Sequence, residues 1–357
     1  MVIFNALQTS LSGGIGRYSY ELAKAVYLLN EIEFKIVIRE EDEAIFQFAK
    51  REDLIIAKGI SNSKQRNYYE QFVLPQKIYK TYPNAIIHYP DSMAPIFAKN
   101  KIIITVHDLA FKSVRGGFTW KTTLWKNIIT NLSIKKADKV IAITNFTKNE
   151  ILKFYKIDIN KISVVYNGFN DFSKDNIDYD KISSGILSLE KDRYILTVST
   201  ISPRKNMDGL LKAFNFIKNR TDCNLVICGK DGWLYDDVYK LVDELGLSER
   251  VIFTGGVNDN ELMYLYKSAK TFVYPSFYEG FGLPPLEAMS YGIPVAVSNV
   301  TSMPEVLGDS AIYFSPYNVK EIGNSILECM NLKNKKTFKN EYSWDRCARE
   351  LIKHYKD

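Results

Sequence analysis

The 357-residue sequence lacks any apolar run near the roughly 18 residues of a membrane-crossing helix, and its first residues carry no signal-peptide pattern. Cysteine is scarce: four residues at 223, 228, 329 and 347 match neither a zinc spacing nor a disulfide framework, so reduced thiols in a cytoplasmic protein are expected. There is no low-complexity segment and no short internal repeat. The full G-x-G-x-x-G fingerprint is missing too: "SGGIGRYSYEL", residues 12 to 22, falls short of it, and no acidic residue follows in the usual context. One D-x-D exists, Asp178-Tyr-Asp180, and its polar surroundings read as solvated chain, so no divalent metal and no other cofactor is expected at a reacting centre. The basic residues are dispersed and no known module is visible, which disfavours nucleic acid as a partner.

What is present is ordinary for a globular protein: 46% hydrophobic and 25% charged residues, in a chain long enough for two domains. The net charge of +6 suits an anionic substrate, an anionic membrane surface or nucleic acid, and alone chooses none of them. Short β-branched runs alternate with helix-period segments. Strands are predicted at Val2–Asn5, Phe34–Ile38, Ala85–Tyr89, Lys101–Val106, Val140–Thr144 and Ile162–Tyr166, then at Tyr194–Ser199, Asn224–Cys228, Val251–Thr254, Thr271–Tyr274, Val295–Ser298 and Ile312–Phe314. Continuously apolar runs such as "IIIT" and "NLVIC" fit parallel strands covered on both faces. In "NMDGLLKAFNFIKNR" the residues Met207, Leu210, Leu211, Phe214 and Ile217 share one helix face. The fold class is therefore α/β, with two Rossmann-like doubly wound parallel sheets. A first domain over 1–170, a polar linker over 171–184, a second domain over 185–341 and a terminal helix over 342–357 are expected, that helix a candidate to pack back on the first domain.

The stretch "TFVYPSFYEGFGLPPLEAMSYGIP", residues 271 to 294, concentrates the chemistry. Its strand closes at Pro275, and the glycine-rich loop follows at the carboxyl end, where α/β sheets place ligands. Pro284 and Pro285 suit the first turn of a helix, where their missing N–H groups have no intrahelical partner; Gly292 ends that helix and Pro294 blocks its extension. The amides of Gly280, Phe281, Gly282 and Leu283 can then converge on an anion near the positive end of the helix dipole. Glu279 precedes the turn and Glu287 is expected in the first helical turn, an arrangement ill suited to a hydrolase pair flanking one bond. A carboxylate at 287 suits two ribose hydroxyls, and one at 279 suits a sugar beyond the phosphates. The plainer alternative is a dipole-complementing Glu287 and a surface Glu279.

Other positions join this constellation. "SPRKN", residues 202 to 206, sets Arg204 and Lys205 at a strand's carboxyl end, where adjacent cations neutralise a pyrophosphate or form a solvated basic turn. "TVHDLAF" puts His107 at a strand end, where an imidazole can bond a sugar hydroxyl or help an acceptor proton leave. A lone histidine is more often structural, and His88 and His354 are read so. Asn145 in "ITNFT" is a candidate acceptor contact. Residues 66–82 and 118–136 interleave aromatics with lysines, as faces at an anionic bilayer do, or as ordinary helices with core aromatics do.

"EGFGLPPLE", residues 279 to 287, resembles the E-x7-E motif of retaining nucleotide-sugar glycosyltransferases of the GT4 family, whose fold is GT-B. The similarity is dense over residues 274 to 316 and thinner over nearly the whole chain. It implies two domains facing a central cleft, with Glu279, His107, Lys205 and Arg204 as catalytic candidates. Donor contacts would come from Gly14, Gly16, Arg204, Lys205, Val257, Glu279, Gly280, Phe281, Gly282, Leu283 and Glu287. Lys205 falls on the family's phosphate-binding lysine. Ser199 stands where many members carry an arginine, and Arg204 is the candidate to supply that charge. "VIFTGGV", residues 251 to 257, corresponds to the segment that reads the donor base, and "YNGFN", residues 166 to 170, to the hinge. "PRKN" with "HDLAF" is similar to bacterial mannosyl- and rhamnosyltransferases of surface-polysaccharide assembly. That implies GDP-mannose as donor, a saccharide or polyprenyl-diphosphate-linked acceptor, and a place on the inner face of the cell membrane. A dTDP- or UDP-sugar donor, a nucleotide-sugar epimerase or hydrolase, and a non-catalytic sugar-nucleotide binder remain as alternatives.

Overall fold

A computed structural model of the chain describes residues 1–9, 14–114, 120–233, 235–332 and 341–356, without the side chains of Trp120 and Lys121. The chain divides into two compact units, one built from Met1–Lys112, Phe118–Gly168 and Tyr342–Asp357, the other on Phe169–Glu341.

The first unit holds a seven-stranded parallel sheet of β1 (Val2–Asn5), β2 (Phe34–Arg39), β3 (Leu54–Ala57), β4 (Ile86–Tyr89), β5 (Lys101–Val106), β6 (Lys139–Ala142) and β7 (Ile162–Val164). Its order is β3-β2-β1-β4-β5-β6-β7. The continuous apolar runs are strands for the expected reason. Ile102 and Ile104 of β5 pack with Leu74 and Ile134 on one face, while Ile103 packs with Phe4, Leu22 and Leu351 on the other.

The second unit holds β8 (Tyr194–Val198), β9 (Asn224–Cys228), β10 (Val251–Gly255), β11 (Thr271–Tyr274), β12 (Val295–Ser298) and β13 (Ile312–Phe314), in the order β10-β9-β8-β11-β12-β13. Helix Met207–Ile217 buries Met207, Leu210, Leu211, Phe214 and Ile217, the face that its spacing predicted. Both sheets reverse their strand order between the first and fourth strands of the unit, β1 beside β4 and β8 beside β11. Such a reversal opens a crevice at the carboxyl ends, where ligands bind in this architecture.

Four expectations need correction. Strand β3 was not foreseen: only the two ends of "LIIA" are buried, so this short edge strand shows no clear period. The strands predicted to reach residues 144 and 166 stop at 142 and 164; Thr144 leaves the sheet to cap helix Asn145–Phe154, its hydroxyl accepting from Thr147 N at 3.1 Å. Residues 171–184 are no loose linker. They carry the turns Phe172–Lys174 and Tyr179–Lys181 and are tied to the start of helix Asp259–Ser268. Asp178 N donates to Asn260 at 2.8 Å, Asn258 donates to Lys181 O at 2.9 Å, and Ser183 N donates to Glu261 at 3.1 Å. Glu287, expected in the first turn of its helix, is the fifth residue of Leu283–Ser290.

The terminal helix Trp344–Lys356 belongs to the first unit. It buries Cys347, Ala348, Leu351, Ile352 and Tyr355 and lies along helix Gly14–Leu29. Gly168 admits its start, since a Cβ there would come within 2.4 Å of Trp344 N. Tyr355 reaches His88, its hydroxyl 2.5 Å from Nδ1, while Nε2 meets the Thr105 hydroxyl at 2.9 Å. Burial pulls His88 down to about 3, so this imidazole is neutral and structural, as read.

Candidate active site

The reversal in the second sheet is occupied by charge. After β8 the chain makes one tight turn, Pro203–Lys205, and Asn206 follows in the left-handed region at φ +57°. Asparagine tolerates that conformation and here also caps the next helix, accepting from Gly209 N at 3.2 Å. Gly209 has to lack a side chain, because a Cβ would sit 2.4 Å from the Asn206 oxygen. The other end of the Asn206 amide donates to Pro275 O at 3.1 Å and Pro316 O at 2.8 Å. One side chain thus ties the turn after β8 to the loop after β11. Phe277 N adds a bond to Arg204 O at 2.9 Å.

This stitching brings Arg204, Lys205 and Glu279 together. Lys205 Nζ donates to Glu279 Oε1 at 2.5 Å and to the Tyr274 hydroxyl at 2.6 Å. Arg204 Nη1 lies 3.0 Å from the same carboxylate oxygen and donates to Tyr278 O at 2.5 Å. Burial acts to raise the Glu279 pKa, but the Arg204 guanidinium and the Lys205 ammonium outweigh it and hold the carboxyl at about 2. Burial and the Glu279 charge push the Tyr274 phenol well up. At neutral pH the set therefore carries two positive charges and one negative, a surplus that favours an anion. The solvated basic turn and the surface Glu279 are both excluded, since Lys205 and Glu279 are buried.

Beyond Glu279 the turn passes Gly282 at φ +92° into helix Leu283–Ser290, with prolines in its first turn and no side-chain cap. Glu287 is buried and accepts from the Tyr266 hydroxyl at 2.9 Å, and Tyr266 stacks on Tyr291 with centroids 5.7 Å apart. The two glutamates are held by different partners. Val257 follows β10 at the sheet edge and is partly exposed, and Ser199 is buried with no partner for its hydroxyl among the described residues. Exposed Asp178 pairs with Lys181 at 2.9 Å, and no group that could hold a metal ion occurs among the described residues.

In the first unit, Gly14 and Gly16 fall in the opening turn of helix Gly14–Leu29 rather than in a loop, and Ser12 and Gly13 lie outside the described residues. His107 follows β5 and is partly exposed. Its Nε2 is 2.8 Å from Pro90 O, and the Tyr18 ring meets it edge-on at 4.5 Å. Desolvation lowers its pKa, so the neutral ring donates from Nε2 to the carbonyl and keeps its lone pair on Nδ1. Asn145 is exposed and donates to the Tyr166 hydroxyl at 2.8 Å.

Sequence reasoning missed Asn206, although an asparagine three residues before a glycine at a helix start is a readable cap. It also missed Glu70, which lies on a π-turn, Tyr69–Val73, inside the stretch read as aromatic and basic. Glu70 is buried near the reversal of the first sheet, accepts from Asn5 Nδ2 at 2.7 Å, and is raised by burial to about 7.

Two doubly wound sheets, each with polar groups at its reversal, form the GT-B architecture of glycosyltransferases. A solved glycosyltransferase from Rickettsia africae superposes with a TM-score of 0.72 over 99% of this chain and 97% of its own, at 20% identity, a likeness of fold. The family model described as "Glycosyltransferase Family 4" matches residues 12–171 and the one described as "Glycosyl transferases group 1" matches 178–344, so the chain belongs to this glycosyltransferase family. O-antigen chain mannosyltransferase B of Escherichia coli is 29% identical over 372 aligned positions, covering 96% of both chains. O-antigen chain mannosyltransferase RfbU of Salmonella typhimurium is 34% identical over 228, covering 62% of this chain and 59% of that one.

Proposed function

We propose that the protein is a retaining, metal-independent hexosyltransferase that moves mannose from GDP-mannose to a saccharide or polyprenyl-diphosphate-linked saccharide during cell-surface polysaccharide synthesis. The observation that carries this is the Arg204–Lys205–Glu279 set, with buried Lys205 and Glu279 and a surplus positive charge. A leaving nucleoside diphosphate gains most from preorganised cations and amides where its charge develops. In this reading Arg204, Lys205 and the amides of residues 280–283 hold the diphosphate, Glu287 takes the ribose, and Glu279 orients the sugar. The acceptor hydroxyl attacks on the face that the nucleotide leaves. Mannose as the sugar is supported by the names of the relatives that align over most or much of the chain.

The first unit supports a peripheral place on an anionic membrane face in the cytoplasm. Tyr68, Phe72 and Tyr79 from one segment and Leu124, Trp125 and Ile128 from the other are exposed. Both segments grip the loop that carries Phe97, itself 78% exposed: Gln71 donates to Ala94 O at 3.2 Å, and Ala94 N donates to Ser133 at 2.9 Å. Exposed Lys77, Lys80 and Lys99 accompany the aromatics.

Thermal-shift measurements with GDP, UDP, dTDP and their sugars test the donor, because stabilisation follows free ligand over dissociation constant. GDP and GDP-mannose are expected to stabilise most, and transfer to persist in EDTA with the anomeric configuration retained. Preference for another base, or activity lost to EDTA and restored by magnesium or manganese, contradicts the corresponding part. Recovery with anionic liposomes is expected to fall as salt rises; equal recovery with neutral vesicles removes the electrostatic part of the membrane reading.

A further inference from the structure

Where the chain runs from β12 into helix Met303–Leu307, Thr301, Ser302 and Met303 close on the glycine turn. Thr301 adopts φ +60°, a rare conformation for a β-branched residue, of the kind kept where the surroundings fix it. Its Oγ1 accepts from Glu279 N at 3.1 Å and donates to Val300 O at 2.7 Å. Ser302 is buried, and its hydroxyl donates to Glu279 O at 3.0 Å. Met303 covers the far end of the turn: a Cβ on Gly282 would fall 3.0 Å from its sulfur. Both backbone polar groups of Glu279 are therefore held by side chains from one short segment. The Glu279 carboxylate meets Lys205 and Arg204 only if that backbone keeps its direction.

We infer that Thr301 and Ser302 are positioning residues that aim the Glu279 carboxylate, a device of the 299–303 segment rather than of the motif holding Glu279. Thr301→Val keeps the shape and the β-branch but leaves the Glu279 N–H without its acceptor; Thr301→Ser keeps the acceptor. Ser302→Ala removes a single bond at an unstrained residue, φ −80°, and serves as the second variant should Thr301→Val fold poorly. The kinetic part rests on the proposed role of Glu279; the spectroscopic part does not.

In ligand-free protein labelled with 13C at glutamate carboxyls, the Glu279 signal is identified by its loss in Glu279→Gln. It is expected to titrate at higher pH in Thr301→Val and Ser302→Ala, and at the wild-type position in Thr301→Ser. An unmoved signal in both loss variants overturns the inference. With the sugar nucleotide that wild-type protein consumes, GDP-mannose first, Thr301→Val is expected to lower kcat tenfold or more. Donor KM should stay within twofold, Thr301→Ser should retain wild-type rates, and the valine should add nothing in the Glu279→Gln background. Full additivity there overturns the positioning role. If Glu279→Gln itself leaves transfer intact, the proposed role of Glu279 fails, and the carboxyl signal still decides whether the segment aims it.

Discussion

Glu279 is a buried negative charge held between buried Lys205 and partly exposed Arg204, so replacing it changes more than one contact. Glu279→Gln leaves Arg204 and Lys205 without their carboxylate, and breaking a buried pair costs about 3 to 5 kcal/mol. The variant is expected to melt lower in calorimetry, yet to bind the preferred nucleoside diphosphate no more weakly, because the diphosphate then neutralises both cations. Glu287→Gln is expected to do the opposite. It removes a charged acceptor beside the Tyr266 hydroxyl and should weaken nucleotide binding by about 1.5 to 3 kcal/mol. Equal effects of the two substitutions on titration calorimetry would contradict the division of roles. Glu70 gives a pH-dependent counterpart. Burial lifts its carboxyl from 4.5 to about 7 against the lowering influence of Asn5 and Arg66, with Asp91 adding to the rise. The folded state therefore binds this proton more tightly than the unfolded chain does. The stabilisation is full below pH 4.5 and is lost as pH rises through about 7. In urea unfolding, wild type should lose about 2.5 kcal/mol more stability than Glu70→Gln between pH 5 and pH 8, a difference in which the opposing contribution of neutral His88 cancels. A pH dependence unchanged by the substitution would show that Glu70 titrates elsewhere.

The loops that carry the site owe their shape to a few backbone positions. Gly229 follows β9 at φ +149°, and a Cβ there would lie 1.9 Å from Ser199 O, a fixed backbone atom at the end of β8. Gly229→Ala must push those strand ends apart and with them the turn that presents Arg204. A loss of about 3 kcal/mol or more is expected, read as a lower denaturant midpoint; stability within 0.5 kcal/mol of wild type would show that the strand ends can spread. At this scale the sequence is partly legible. The run "IIIT" and the face Met207–Leu210–Leu211–Phe214–Ile217 announce their elements, because burial on two faces or on one leaves a local period. The edge strand Leu54–Ala57 is half-buried and only four residues long, so it leaves none. The EGFGLPPLE turn was legible from its glycines and prolines. That Arg204 and Lys205 converge on Glu279 was not, since 74 residues separate Lys205 from Glu279 and only the sheet order joins them. Thr301 and Glu70 were invisible for a related reason: a polar residue does not declare in sequence that it will be buried, or against what.

At the scale of the whole molecule, the chain leaves the first unit after Gly168 and returns to it at Tyr342. The returning helix is a structural part of that unit. It carries Leu351, Ile352 and Tyr355 into the cluster that contains Phe4, Leu22 and Ile103, and burying each such apolar side chain stabilises by about 1.5 to 3 kcal/mol. It also supplies the hydroxyl that meets His88 Nδ1 at 2.5 Å. Without Tyr355 a fully buried imidazole nitrogen loses its partner, at a cost of about 1 to 3 kcal/mol. The second unit keeps its own strands, helices and charged set within Phe169–Glu341. Ending the chain after Glu341 is therefore expected to act on one unit alone. Scanning calorimetry of the full chain and of residues 1–341 should show the first unit's transition lowered strongly or lost. The second unit's transition should stay within a few degrees, identified by its upward shift with the preferred nucleoside diphosphate. If both transitions fall together, the second unit depends on the first for its stability; if neither moves, the returning helix is dispensable and the packing argument for it is wrong.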